Sequence, residues 1–246
     1  MTSPKEAVVA AGIRKSFGKL LVLNGLDLSV APGETVSVLG RSGTGKSVLL
    51  KLLIGLQKPD AGSIQIDGDE ITTLSLDQLN EVRKRIGFLF QQAALYDSLS
   101  LLENVEFPLR RHTNLKSEER TSRARELLSN VGITSDLEKL PAEISGGMKK
   151  RVGLARALAL DPKIIMFDEP TAGLDPVTAA EIAWLILDLK ARHVTSIVVT
   201  HDLHTARSIS DRFIVLDAGN VLVDGSFDDI ERSKHPFIVQ FLKDAG

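Results

Sequence analysis

The 246-residue chain contains no cysteine. That absence excludes disulfides, thiolate zinc sites and thiol catalysis, and it suits a reducing compartment. An excess of either charge is also missing. Lys and Arg number 30 against 32 Asp and Glu, for a formal net charge of −2. Composition therefore gives no support for a nucleic-acid partner, which would favour a basic surface. Every apolar run is broken by Gly, Asp or Lys before it reaches the roughly 18–20 residues of a membrane span. The opening Met1-Thr2-Ser3-Pro4-Lys5-Glu6 has no apolar signal core. No internal repeat, low-complexity tract or linker is visible. What is present is a hydrophobic fraction of 43%, enough to bury a sizeable core. The expectation is one soluble domain spanning residues 1–246, whose membrane role, if any, runs through a partner.

Four short apolar runs, residues 35–39, 86–90, 164–167 and 196–200, read as buried parallel strands. Three of them end at Gly40, Asp168 and His201, and ligands in open α/β sheets sit at the carboxyl ends of strands. Residues 8–13, 21–30 and 63–66 read as antiparallel strands, with turns at Pro32-Gly33 and Asp67-Gly68. Residues 213–216 and 221–224 flank Asp217-Ala218-Gly219-Asn220 as a hairpin. Residues 95–150 are polar and helix-prone and read as an inserted helical subdomain. Within them, 94–109 shows no clean period and by itself reads as a loop. The clearest helix follows Asp175, with Pro176 in its first turn and Ile182, Leu185, Ile186 and Leu189 on one face.

Gly40-Arg41-Ser42-Gly43-Thr44-Gly45-Lys46-Ser47 matches the phosphate-binding loop G-x-x-x-x-G-K-[ST] in full. Its glycines let backbone N–H groups turn toward phosphate oxygens, Lys46 supplies a cation, and the Ser47 hydroxyl is a hard ligand for Mg²⁺. Asp168 and Glu169 end an apolar strand. The first carboxylate suits Mg²⁺ through its water shell, and the second suits polarisation of an attacking water. Ser145-Gly146-Gly147 at a helix start forms a second anion site. One chain does not need two such sites for one nucleotide, and a head-to-tail pair with two-fold symmetry would use both.

Phosphate loop, Ser-Gly-Gly, strand-end Asp-Glu, Ala-Gly-Leu-Asp and strand-end His occur in the order found in ABC-type ATPase domains, which the chain resembles from about Val8 to Leu242. The resemblance implies an α/β fold: an antiparallel β subdomain, a mainly parallel core sheet and the helical insertion. It implies ATP and Mg²⁺ as ligands and a homodimer in the ATP-bound state. It also implies roles for single residues. Phe17 would stack on adenine, although an isolated aromatic also suits a core. Gln91 would contact Mg²⁺ or the attacking water, and Asp175 would meet the other subunit as well as cap its helix. His201 would reach the γ-phosphate. His112, His193, His204 and His235 show no ligand spacing and read as surface residues.

Three stretches narrow the resemblance: Gly45-Lys46-Ser47-Val48-Leu49-Leu50-Lys51, Ala94-Leu95-Tyr96-Asp97-Ser98-Leu99 and Ser145-Gly146-Gly147-Met148-Lys149-Lys150-Arg151. They are similar to the lipid transporters associated with Mla and MCE-domain systems. Met148 stands where the wider family usually has Gln, and that branch tolerates Met. The resemblance implies a multi-span permease, a membrane-anchored MCE-domain protein, in some members a small STAS-domain subunit, and a peripheral place on the cytoplasmic face of the inner membrane. Some members carry a longer C-terminal tail than the few residues after Leu242. Lys149-Lys150-Arg151 reads as a solvated cationic face or as positive potential near the other copy's ATP. A polar-solute transporter and a soluble ABC-type switch remain as rivals. A P-loop kinase would leave Ser145-Gly146-Gly147 and His201 without work.

Overall fold

The first strands alternate buried and exposed residues, as a sheet with one wet face requires. The computed structural model describes residues 6–245. Along the chain run β1 (Val8–Phe17), β2 (Leu20–Val30), β3 (Thr35–Leu39), α1 (Lys46–Leu53), β4 (Ala61–Ile66), β5 (Asp69–Glu70), α2 (Leu76–Arg83) and β6 (Ile86–Leu89). Then come α3 (Leu101–His112), α4 (Ser117–Asn130), α5 (Gly146–Ala157), β7 (Ile164–Asp168), α6 (Pro176–Ala191) and β8 (Thr195–Thr200). The chain closes with α7 (Leu203–Ile209), β9 (Arg212–Asp217), β10 (Asn220–Gly225), α8 (Phe227–Arg232) and α9 (Pro236–Ala245).

Two sheets result. The antiparallel one has the order β2-β1-β4-β5, and the larger one β10-β9-β3-β8-β7-β6. In the larger sheet β3, β8, β7 and β6 pair in parallel, with Leu39 beside Thr200 and Leu89 beside Phe167. β3, β7 and β8 are buried along their whole length, which is why their sequences read as unbroken apolar runs rather than alternating ones. The expected hairpin is present as β9 and β10. β9 also pairs in parallel with β3, so the hairpin extends the core sheet.

Alternation along each central strand divides the core in two. Ile164, Met166, Ile197 and Val199 face α1 and the antiparallel sheet. Ile165, Phe167 and Val198 face the other way, onto α3, α4, α5 and α6. A third cluster holds Leu203, Phe213, Ile230, Ile238 and Phe241 against Leu39.

Residues 94–109 differ from the expected loop, because α3 starts at Leu101. Ser100 accepts from the Glu103 N–H, and the Glu103 carboxylate accepts from the Ser100 N–H. This reciprocal cap starts the helix despite Pro108, which cannot donate to the ladder. The buried Asn104 organises the preceding turn. Its Oδ1 accepts from the Tyr96 N–H at 2.8 Å, and its Nδ2 donates to the carbonyls of Leu99 and Ser100, each at 3.0 Å.

Candidate nucleotide site

The phosphate loop spans the turn from β3 to α1. A Cβ on Gly40 would stand 2.5 Å from the Leu216 carbonyl oxygen, and one on Gly45 would stand 2.9 Å from Val22 Cγ1. Only glycine fits either place. α2 and α3 begin with side-chain caps, whereas α1 begins without one and carries no acidic residue in its first turn. Its first N–H groups are thus left for an anion. Lys46 is buried, and its Nζ donates to the carbonyls of Gly40 at 2.7 Å and Arg41 at 3.0 Å. Glu169 Oε1 lies 3.8 Å from the same nitrogen. Burial pushes the Lys46 ammonium down from its ordinary pKa, against the opposing attraction of Glu169 and Asp168. Arg41, Ser42 and Gly43 are exposed at the crest of the loop, and Thr44 Oγ1 closes it by donating to the Arg41 carbonyl at 2.9 Å.

Strand β7 brings its two carboxylates to the floor of this loop. Ser47 Oγ donates to Asp168 Oδ1 at 2.7 Å, joining residues 121 positions apart. Burial raises the Asp168 carboxyl, and the Ser47 bond pulls the other way. A hydroxyl and a carboxylate, both hard oxygen donors, fit Mg²⁺. Among the described residues no group of three or more His, Cys, Asp or Glu could hold a metal.

Glu169 adopts a left-handed backbone conformation with φ 49°, which a non-glycine residue keeps only where its surroundings hold it. Its N–H donates to the Val199 carbonyl at 2.9 Å, and its Oε2 lies 2.9 Å from Nδ1 of His201. The adjacent ends of β7 and β8 thus set two of the expected residues side by side.

Phe17 is 47% exposed and so not part of the core, and the Lys15 ammonium lies over its ring, 5.5 Å from the centroid. Gln91 is exposed two residues after β6, and its side chain makes no hydrogen bond among the described residues. Ser145 caps α5 by accepting from the Met148 N–H at 3.2 Å. Gly147 packs so closely on α6 that a Cβ there would stand 2.3 Å from Thr178 Cγ2. Asp175 caps α6 by accepting from the Val177 and Thr178 N–H groups, each at 3.1 Å, and from Thr178 Oγ1 at 2.6 Å. Among the described residues no hydrogen bond or ion pair joins residues 145–147 to the phosphate loop of the same chain. His112, His193, His204 and His235 are exposed.

Two side chains escaped the sequence reading. Lys150 does not lie on a solvated face. It is buried, and burial lowers its pKa to about 8 against the attraction of Glu169 and Asp168. Its Nζ donates to the carbonyls of Glu169 at 2.8 Å and Ala172 at 3.0 Å. Arg156 on the same helix donates to the carbonyls of Ala93 and Ala94, each at 2.7 Å, just beyond Gln91. A cation on a helix ordinarily reads as solvated, and no local pattern marks these as buried.

The family model described as ABC transporter matches residues 23–172. The chain is 45% identical over 237 residues to a "probable ribonucleotide transport ATP-binding protein" of Mycobacterium leprae, covering 96% of this chain and 68% of that protein. It is 44% identical over 214 residues to a methionine import ATP-binding protein of Brucella abortus, covering 87% of this chain and 58% of that protein. Matches to the Mycobacterium tuberculosis counterpart of the first cover 65% of its length, so the chain spans about two thirds or less of most of these relatives. A solved dimeric ATP-binding cassette in a post-hydrolysis state, bound to ADP and Pi, superposes with a TM-score of 0.84 at 37% identity, covering 89% of this chain and 98% of that one. A cassette of a Clostridium perfringens ABC transporter complex superposes with a TM-score of 0.83 at 29% identity, covering 94% and 92%. With a family match over residues 23–172, which include the phosphate loop and the acidic strand end, and with the fold shared by the solved cassettes, the chain belongs to the ABC transporter family, as a cassette that binds ATP with Mg²⁺ and hydrolyses it.

Proposed function

We propose that this chain, acting as a single cassette over residues 1–246, is the motor subunit of a lipid transporter of the MCE-associated kind. The ATPase half of this reading rests on one observation: Ser47 and Asp168 meet at 2.7 Å beneath Lys46, with Glu169 and His201 paired alongside. The lipid half rests on the three stretches that resemble that branch, residues 45–51, 94–99 and 145–151.

Two copies would close on two nucleotides, with Phe17 against adenine. The N–H groups of residues 40–47 and the Lys46 ammonium hold the phosphates, and Ser145, Gly146 and Gly147 reach them from the other copy. Ser47, Asp168 and Gln91 would hold Mg²⁺, which would supply positive charge to offset that of the phosphates. Glu169 orients the attacking water, and His201 holds the Glu169 carboxylate on one side while facing the γ-phosphate on the other. Asp175 sits where the copies meet. Catalysis here is positioning and charge stabilisation. The helices α3, α4 and α5 carry closure to a multi-span permease, and an MCE-domain protein and a small STAS-domain subunit complete the assembly. Among the described residues no helix is long and apolar enough to cross a membrane. Attachment to the cytoplasmic face of the inner membrane would run through the permease.

A second reading, a polar-solute transporter, is favoured by the names of the relatives, which speak of ribonucleotide transport and methionine import. One experiment separates the two. Glu169→Gln is expected to bind ATP, turn over very slowly and accumulate as a closed dimer. Tagged and purified from native membranes with Mg-ATP, it should bring down a permease, an MCE-domain protein and bound phospholipid, identified by mass spectrometry. A permease with a soluble solute-binding protein instead establishes the second reading. Full turnover in Glu169→Gln removes Glu169 from its role.

A further inference from the structure

Solvent reaches only 5% of Lys150. A cation so buried must be held by acceptors, and its two acceptors are both carbonyls of the turn that follows β7, at Glu169 and Ala172. Glu169 is the residue in that turn with the left-handed backbone. Its N–H is tied to Val199 in β8, on the sheet side. Its carbonyl is tied to Lys150, on the side of α5. Among the described residues the one other donor to that carbonyl is the Ala172 N–H, at a longer 3.3 Å. The direction of the Glu169 side chain follows from the two peptide planes that meet at its Cα. Lys150 fixes the second of those planes, as β8 fixes the first.

We propose that Lys150 is a positioning residue for ATP hydrolysis, holding the Glu169 peptide and so aiming the Glu169 carboxylate at the attacking water. The inference rests on the reading of Glu169 as the group that orients this water. It adds a mechanical link. α5 carries Ser145, Gly146 and Gly147 at its start and Lys150 one turn further on, so the element that faces the other copy's nucleotide also grips the base of its own copy. Movement of α5 relative to β7 must then turn the Glu169 carboxylate.

The test is steady-state turnover and ATP affinity of the full chain. Lys150→Met keeps the bulk of the stem and removes the ammonium. Turnover is expected to fall about tenfold or more, while the Kd for ATP changes less than about threefold. In a Glu169→Gln background the same substitution is expected to change the residual turnover by less than about twofold, because its effect passes through Glu169. Turnover at the wild-type rate in Lys150→Met overturns the inference, as does the same fold loss in both backgrounds, and so does a parallel loss of ATP affinity. Wild-type turnover in Glu169→Gln alone instead removes the reading beneath it. Lys150→Gln, whose shorter amide reaches one carbonyl at most, serves if the methionine chain does not fold. Reduced turnover with retained ATP affinity supports the inference there, and an unchanged rate counts against it.

Discussion

Lys46 is held inside the protein by two carbonyls of the phosphate loop that accept from it, and the nearby Glu169 and Asp168 oppose the lowering of its pKa by burial. The loop and the lysine therefore hold one another in place before any phosphate arrives. Lys46→Ala removes both the loop's internal tie and the cation offered to the phosphates. A hydrogen bond to a charged group contributes about 1.5–3 kcal/mol. ATP affinity is accordingly expected to fall roughly ten- to a hundredfold, with turnover falling alongside it. Titration with a fluorescent ATP analogue and a phosphate-release assay check this. Unchanged affinity in a folded Lys46→Ala chain would refute it. The placement of Lys46, Ser47, Asp168, Glu169 and His201 was legible in the sequence, because the first two open the helix that follows the loop after β3 and the others end β7 or follow β7 and β8. That of Lys150 was not, since a lysine next to Lys149 and Arg151 is buried only where carbonyls from a distant turn come to meet it.

At the scale of elements, the contact between α5 and α6 is set by a glycine. A Cβ on Gly147 would stand 2.3 Å from Thr178 Cγ2, so Gly147→Ala must push the starts of the two helices apart. Overpacking of this kind costs about 1–3 kcal/mol, read as a lower denaturant midpoint. Thr178→Ser on the same chain removes Cγ2 and keeps the hydroxyl that Asp175 accepts from. It is expected to recover at least about half of that loss. Failure of the serine to recover any of it would show that the clash lies elsewhere. Glycine at this place was legible only as part of an anion site at a helix start, and the packing reason for it comes from α6. α3 was missed for a different reason. Residues 94–109 lack a clean apolar period, but Ser100-Leu101-Leu102-Glu103 carries the capping-box spacing that marks a helix start. Here capping decided the local structure where periodicity did not.

Across the whole molecule, Arg212 connects parts that the chain order keeps far apart. On β9, its Nε donates to Glu34 Oε1 at 2.7 Å, 178 residues away, and its guanidinium also reaches the Ser29 carbonyl on β2 and Asp224 on β10. One side chain thereby joins the antiparallel sheet, the entry to β3 and the edge hairpin. Its pKa is raised, first by the hydrogen bond to Glu34. Arg212→Met is expected to lower unfolding stability by about 2 kcal/mol, as loss of charge-assisted bonds at a partly buried site implies. Urea unfolding measures this, and turnover per folded molecule should stay near wild type because Arg212 pairs beside Val36 near the start of β3, at the opposite end of that strand from Gly40. A stability change below about 0.5 kcal/mol would place Arg212 among ordinary surface ion pairs.

Read alone, the sequence determined the parallel strands, the phosphate loop, the acidic strand end, the Asp175 cap and the family, because each depends on residues close together in the chain. Local conformation follows from neighbours: glycines that admit tight turns, apolar runs that must be buried, and caps that satisfy a helix end. The tertiary structure alone decided which distant groups meet. Arg156 finds the Ala93 carbonyl 63 residues back, and Lys150 finds the Glu169 carbonyl 19 residues on. No local pattern encodes such a meeting, because it arises only when α5, β6 and β7 are packed against one another. Burial then obliges each cation to take whatever acceptor the packing brings within reach.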